Sequence, residues 1–296
     1  MSKPPARTGG DNLRMTVSDN TSRVSAGATE ETNLPLDDGE IHVREDGPRD
    51  APALLLIHGT AASLRTWDAM VPLLTGSHRV IRIDLLGCGQ SARPDGASYA
   101  IPDQARRVGE ALDRLGVEQV IVVGHSSGGT VATALAERRP DLVTALTLVN
   151  TGPNMVAFIA KDLAVGLAEG PDLTDEQLRQ IMSPAFGSGF EIPQPFLDEA
   201  RAMDFHVFAA ASQAGSAYLE EQALPQRLAT LGKPLLVIFG EDDRRWRSSS
   251  AADYRVVPGA TVEMLPGVGH TPILEDPPRT AAPLLAFAAN HSPHDD

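Results

Sequence analysis

Short apolar runs rich in Val, Ile and Leu recur at residues 53–57, 80–85, 120–123, 146–149 and 235–239, and most do not alternate with polar residues. An alternating run marks a strand with one wet face. A continuous run suits a strand buried on both faces of a parallel sheet. Residues 261–265 are a weaker, later candidate, and 34–36 and 41–44 flank Asp38-Gly39, which predicts a hairpin. Between the runs lie helical patterns. Ile101, Ala105, Val108, Leu112 and Leu115 repeat at three- and four-residue steps, with Pro102 in the first turn and Gly116 past the end. Two more patterns run over 127–139, stopped by Pro140, and 279–289. Strand–helix alternation of this kind predicts a doubly wound, mostly parallel α/β sheet.

The stretch 151–222 interrupts the alternation. It has no convincing strand, and its helical patterns at 156–168, 174–182, 195–203 and 204–214 are punctuated by Pro171, Pro184, Pro193 and Pro195. An all-helical insert between two sheet strands predicts a cap over the strand ends. The expected division is a disordered leader at 1–32, an α/β core at 33–150 and 223–290, a helical cap at 151–222 and a tail at 291–296. The leader is mostly small and polar residues and has no apolar secretory segment. No run approaches the roughly 20 apolar residues of a spanning helix. Cys88 is the single cysteine, so no intrachain disulfide can form. These features predict a cytoplasmic protein with no membrane partner. A formal net charge of −14 over 296 residues repels polyanions, which argues against nucleic acid as a partner. The oligomeric state is not written in the sequence.

Residues 120–129, Val-Ile-Val-Val-Gly-His-Ser-Ser-Gly-Gly, hold the most informative signal. They contain G-x-S-x-G, a weak pattern alone. Its context is specific: an apolar strand ends at Val123 and a helix pattern begins at Ser127. So sharp a strand–turn–helix strains the Ser126 backbone and lifts its hydroxyl off the sheet. Gly124 and Gly128 leave room for the crossing backbone. The helix N-terminus adds positive potential where an oxyanion would form. A phosphate loop is the rival, but no Lys follows the glycines and no G-x-G-x-x-G opens the helix.

A serine hydroxyl needs a base to become a nucleophile. Of eight histidines, His42, His78 and His206 fall on surface or cap segments, and His291 and His294 on the tail. His58 and His125 read as packing groups. His270 ends a Pro-Gly-Val-Gly-His loop after a late strand, at the sheet edge where ligands bind in open α/β folds. An acid to orient it is expected at a strand end, where Gly240-Glu241-Asp242-Asp243 offers three carboxylates.

Taken in order over about residues 34–289, these motifs resemble the α/β-hydrolase superfamily. His58-Gly59-Thr60 is similar to its oxyanion loop, and Trp67 stands where such proteins often carry Trp. Residues 84–91, Asp-Leu-Leu-Gly-Cys-Gly-Gln-Ser, resemble its D-x-x-G-x-G-x-S loop, and Gly269-His270-Thr271-Pro272 its terminal histidine loop. The resemblance implies Ser126 as nucleophile, His270 as base and Asp243 as acid, since the family's acid usually stands three residues after the glycine. Asp242 is the alternative. A second acid position, after the sixth strand, falls at Val149-Asn150-Thr151 and has no carboxylate. The implied oxyanion hole is the backbone N–H groups of Thr60 and Ser127, with the N–H of Ser127 preferred to its hydroxyl.

Among chemistries of the fold, a Ser nucleophile marks down epoxide hydrolases and haloalkane dehalogenases. Thr271-Pro272 after the base marks down carbon–carbon bond hydrolases. There is no H-E-x-x-H motif, so neither a metal nor another cofactor is expected. The expected reaction is hydrolysis of a carboxylic ester, thioester or lactone of a small apolar substrate through an acyl-enzyme. Trp67, Phe158, Phe186, Phe205 and Trp246 are the candidate substrate-binding aromatics. Arg244-Arg245-Trp246-Arg247 reads either as a solvated turn or as a cationic rim for an acidic substrate. Two other classes fit the scaffold: a dedicated biosynthetic acyl-transfer or cyclisation enzyme, and a non-catalytic small-molecule-binding homologue.

Overall fold

The computed structural model describes Met1, residues 29–160 and residues 173–292. Its strands are β1 (Glu30–Leu36), β2 (Gly39–Asp46), β3 (Ala53–Ile57), β4 (Arg79–Ile83), β5 (Val120–His125), β6 (Val143–Val149), β7 (Leu235–Gly240) and β8 (Thr261–Leu265). They form one sheet in the order β1-β2-β4-β3-β5-β6-β7-β8. Both pairings of β2 are antiparallel, and β3 to β8 pair in parallel. The doubly wound, mostly parallel sheet is thus as expected. β1 begins earlier than the sequence suggested. Residues 30–32, assigned to the leader, pair with Val43, Arg44 and Glu45, because a hairpin partner lets polar residues extend a strand at a sheet edge.

Helices α1 (Val71–Leu74), α2 (Ile101–Arg114) and α3 (Gly128–Arg138) lie between β3 and β6 in the chain. Between β6 and β7 come α4 (Asp175–Met182), α5 (Gln194–Ala202), α6 (Phe205–Glu221) and α7 (Leu224–Leu231), and α8 (Pro272–Glu275) and α9 (Pro277–His291) follow β8. Successive strand residues enter opposite cores, as period-two geometry requires. Leu55, Ile57, Ile81 and Val122 pack with α2, α3 and α7 on one face. Leu54, Leu56, Val80, Ile121 and Val123 pack with α1, α8 and α9 on the other. Burial on both faces explains why the central strands read as continuous apolar runs.

The chain between β6 and β7 departs from expectation in three places. Met155–Ala157 is a single 3₁₀ turn, and the rest of the helix expected over 156–168 lies, from 161 on, outside the described residues. α6 runs past the expected stop at 214, because buried Tyr218 and Leu219 reward continuation through Gly215. α7 was not foreseen; its eight residues are too few for a periodic signal, though Pro225 sits in its first turn and Gly232, at φ 61°, closes it. Among the described residues no helix is long and apolar enough to cross a membrane.

Candidate active site

The sheet order makes the crevice. β3 pairs with β4 on one side and β5 on the other, so the winding reverses between β3 and β5. Loops leaving two such strands diverge and leave room for a ligand at their C-terminal ends. Thr60 follows β3 and Ser126 follows β5.

Ser126 is held at a left-handed φ of 54°, and its N–H donates to the Val149 carbonyl at 2.9 Å. A Cβ on Gly128 would lie 2.4 Å from the Ile57 oxygen, and one on Gly124 would lie 2.6 Å from the Gly128 carbonyl carbon. Both positions therefore require glycine.

The Ser126 Oγ is 2.9 Å from Nε2 of His270, whose Nδ1 is 2.8 Å from Oδ2 of Asp243. With a carboxylate on Nδ1, that nitrogen carries the proton, and Nε2 is left to accept one from Ser126. Oδ2 of Asp243 also accepts from Asn150 Nδ2 at 2.8 Å, and Oδ1 accepts the N–H groups of Arg245 and Trp246 at 2.7 and 3.0 Å. Burial by itself would raise the pKa of Asp243. The charge and hydrogen bond of His270, with the Asn150 and backbone donors, outweigh burial and hold the carboxyl below the usual range. Asp242 is exposed and makes no side-chain hydrogen bond among the described residues. Of the consecutive carboxylates, Asp243 is the one that meets His270.

Two polar residues at the site were not foreseen. Asn150 is fully buried at φ 45°; besides Asp243, its amide donates to the Gly269 carbonyl and accepts from the Gly240 N–H, both at 3.2 Å. It stands at the alternative acid position and fastens the acid and histidine loops together. Glu275 accepts the N–H groups of Gly187 and Gly269 at 2.8 Å and of Thr271 at 2.9 Å, tying the His270 loop to the inserted segment. A Glu in a short turn carries no distinguishing sequence signal.

His58 and His125 act as packing groups. His58 donates from Nδ1 to the Gly59 carbonyl at 2.8 Å and accepts the Leu85 N–H at 3.0 Å, clasping two loops. His125 donates from Nε2 to the His270 carbonyl at 2.9 Å, and its buried Nδ1 has no partner among the described residues. Burial, and next the neighbouring His270, push its pKa down to about 3. That lies below the unfolded value of about 6.5, so on acidification the unfolded chain takes up a proton first. The stability held by a neutral His125 is complete above about pH 6.5 and is lost as pH falls toward 3. Denaturant unfolding between pH 6.5 and 4.5 should lose up to about 1.4 kcal/mol per pH unit more in wild type than in His125→Gln. Equal slopes would mean that His125 charges freely in the fold.

The two expected oxyanion donors lie side by side, but one is occupied. The Thr60 N–H donates to Ser127 Oγ at 2.6 Å, and the two hydroxyls are 2.7 Å apart. The Ser127 hydroxyl, set aside in favour of its N–H, is thus the acceptor that Thr60 meets.

Three cavities share Thr60 in their walls. One of about 250 Å³ includes Ser126 and is walled by Met155, Phe158, Phe208, Leu219 and Trp246. One of about 80 Å³ includes Ser126 and His270 and is walled by Met182, Phe186, Phe196 and Leu274. The third, of about 570 Å³, is lined by Asp84, Cys88 and Glu199 without Ser126. Phe158, Phe186 and Trp246 therefore line cavities that reach Ser126. Trp67 lines none of these cavities: it is fully buried in the core, edge-on to His125 at 6.4 Å between ring centroids. Phe205 also misses them. It opens α6 and is 39% exposed, and Phe208, one turn on, lines the cavity instead. Among the described residues no cluster of three or more His, Cys, Asp or Glu could hold a metal ion.

Residues 52–191 match the family described as alpha/beta hydrolase fold. The chain is 32% identical over 267 residues to a Variovorax paradoxus protein provisionally named carbamate hydrolase RutD, covering 85% of this chain and 97% of that one. It is 27% identical over 259 residues to a Bacillus subtilis protein provisionally named 2-succinyl-6-hydroxy-2,4-cyclohexadiene-1-carboxylate synthase, covering 83% and 93%. A crystal structure of a hydrolase from Pseudomonas aeruginosa PA01 matches with a TM-score of 0.74 at 27% identity, covering 87% of this chain and 97% of that one. With the sheet order and the strand–turn–helix at Ser126, these likenesses make the chain a member of the α/β-hydrolase family of enzymes.

Proposed function

We propose that the protein is a serine hydrolase that cleaves a carboxylic ester, thioester or lactone of a small, largely apolar substrate through an acyl-enzyme. The observation that carries this reading is the continuous hydrogen-bond chain from Ser126 through His270 to Asp243, opening on an apolar-walled cavity. His270 takes the Ser126 proton as Oγ attacks the substrate carbonyl. The oxyanion accepts from the Thr60 and Ser127 N–H groups once the Ser127 hydroxyl has turned away. Each such donor contributes about 3 kcal/mol to the transition state. His270 then protonates the leaving alcohol or thiol, and a water it activates releases the acyl group. Asp243 stays ionised throughout and holds the imidazole in the accepting tautomer.

In this reading the inserted helices α4 to α6 form a cap that selects the substrate, and the enzyme works in the cytoplasm without a cofactor. The carbamate hydrolase name of the Variovorax relative supports attack on a carbonyl that bears a leaving group. A second reading, a dedicated synthetic step at the same site, is favoured by the synthase name of the Bacillus relative. The test is turnover of p-nitrophenyl esters from acetate to decanoate. The expected result is hydrolysis that favours short acyl chains and declines once the chain outgrows the cavity of about 250 Å³. A folded protein inert toward these esters, simple thioesters and lactones would favour the synthetic reading.

A further inference from the structure

One charged side chain that lines the cavities at Ser126 has no carboxylate partner among the described residues. Arg245 borders both the cavity of about 250 Å³ and that of about 80 Å³, and among the described residues neither is lined by an Asp or Glu. Its backbone faces elsewhere: the N–H donates to Asp243, and the carbonyl accepts from Ile159 at 2.9 Å. Among the described residues no carboxylate pairs with its guanidinium, whereas Arg82, Arg107 and Arg227 all have ion-pair partners. Its Nε is enclosed and lacks a hydrogen-bond partner.

Asp243 cannot fill that role. Its oxygens already receive His270, Asn150 and two backbone N–H groups. Burial lowers the pKa of Arg245, and the charge of Arg245 is felt at His125, beside the nucleophile. The neighbouring arginines are differently placed: Arg244 donates to the Phe186 carbonyl, and Arg247 is exposed. Arg245 is partly buried with its Nε shut off from solvent; a guanidinium held there without an anion among the described residues favours a ligand that brings one, and its planar fork matches a carboxylate. Around it the larger cavity offers Thr130, Ser212, Gln213 and Ser216 as further polar contacts. Ser126 and both oxyanion candidates line the same cavity, which places the acyl portion there.

We propose that Arg245 binds a carboxylate at the far end of a short acyl chain, so that the preferred substrates are half-esters of short dicarboxylic acids. This rests on the serine-hydrolase reading and departs from it in giving the far end of the acyl chain a charge. The comparison is monomethyl glutarate against methyl pentanoate, which have equal acyl length and differ in the terminal charge, followed by titration of released acid. Wild type should favour the half-ester at least tenfold in kcat/KM. Arg245→Gln should cut that preference about tenfold, and Arg245→Lys should keep part of it. No preference in wild type, or a proportionate loss on both esters in Arg245→Gln, would overturn the proposal. Calorimetric titration of glutarate into the Ser126→Ala protein, with and without Arg245→Gln, reads the site independently of turnover. Binding lost with Arg245 supports the assignment even if neither ester is cleaved, in which case the hydrolase reading alone fails. Glutarate binding that is absent, or indifferent to Arg245, overturns the assignment whatever the turnover.

Discussion

Ser126→Ala is expected to lower kcat on any hydrolysed ester by about 10⁴- to 10⁶-fold, with KM and the unfolding midpoint close to wild type. The size follows from the geometry. The Ser126 Oγ is the hydroxyl within hydrogen-bond reach of the His270 Nε2. The neighbouring Ser127 hydroxyl is bonded to Thr60 instead. Its rotation frees an oxyanion donor but makes no second nucleophile in line with the base. Alanine keeps the Cβ that already sits at φ 54°, so it adds no backbone strain. The residual rate would come from the oxyanion donors and substrate positioning. Mass spectrometry after treatment with a fluorophosphonate should show one adduct on wild type and none on the variant. Turnover within tenfold of wild type, or an adduct on another residue, would refute Ser126 as nucleophile.

How much of this was legible depended on the range of the interactions involved. β3, β5 and β7 were readable within a residue or two because burial on both faces leaves local apolar runs. The elbow was readable because strand, serine and glycines lie within ten residues. His270 and Asp243 were reachable through chain order and loop position, though nothing local separated Asp243 from Asp242. What escaped was set by meetings between distant loops. Asn150 matters because the 240, 243 and 269 positions converge on it. The Ser127 rotamer is fixed by Thr60, 67 residues away. Glu275 works through three backbone N–H groups on two loops. Trp67 and Phe205 show the same limit: an aromatic residue near a site is visible in sequence, but the direction of its side chain depends on packing and helical phase.

Asp243→Asn should lower kcat by about 10⁴-fold, and Asp242→Asn should stay within about twofold of wild type. At 243 every neighbour is a donor: the Arg245 and Trp246 N–H groups on one oxygen, Asn150 Nδ2 and His270 Nδ1 on the other. An amide there has one acceptor to offer. Turning its oxygen to the two backbone N–H groups aims its NH₂ at His270 and Asn150. His270 must then present a bare Nδ1 and carry its proton on Nε2, where it can no longer accept from Ser126. Turning the amide the other way leaves two buried backbone donors facing an NH₂, at a cost of about 1–3 kcal/mol for each unsatisfied group. Either orientation damages the base or the acid loop, and the first damages catalysis without unfolding the protein. Asp242, exposed and without a side-chain bond among the described residues, meets none of these groups. Asn150→Ala separates orientation from charge: it removes one donor from Oδ2 and leaves both carboxylate charges in place. Its kcat should fall about tenfold, far less than in Asp243→Asn, as expected for a group acting through Asp243. Near-wild-type rates in Asp243→Asn, or equal losses at 242 and 243, would show that His270 is not oriented by Asp243.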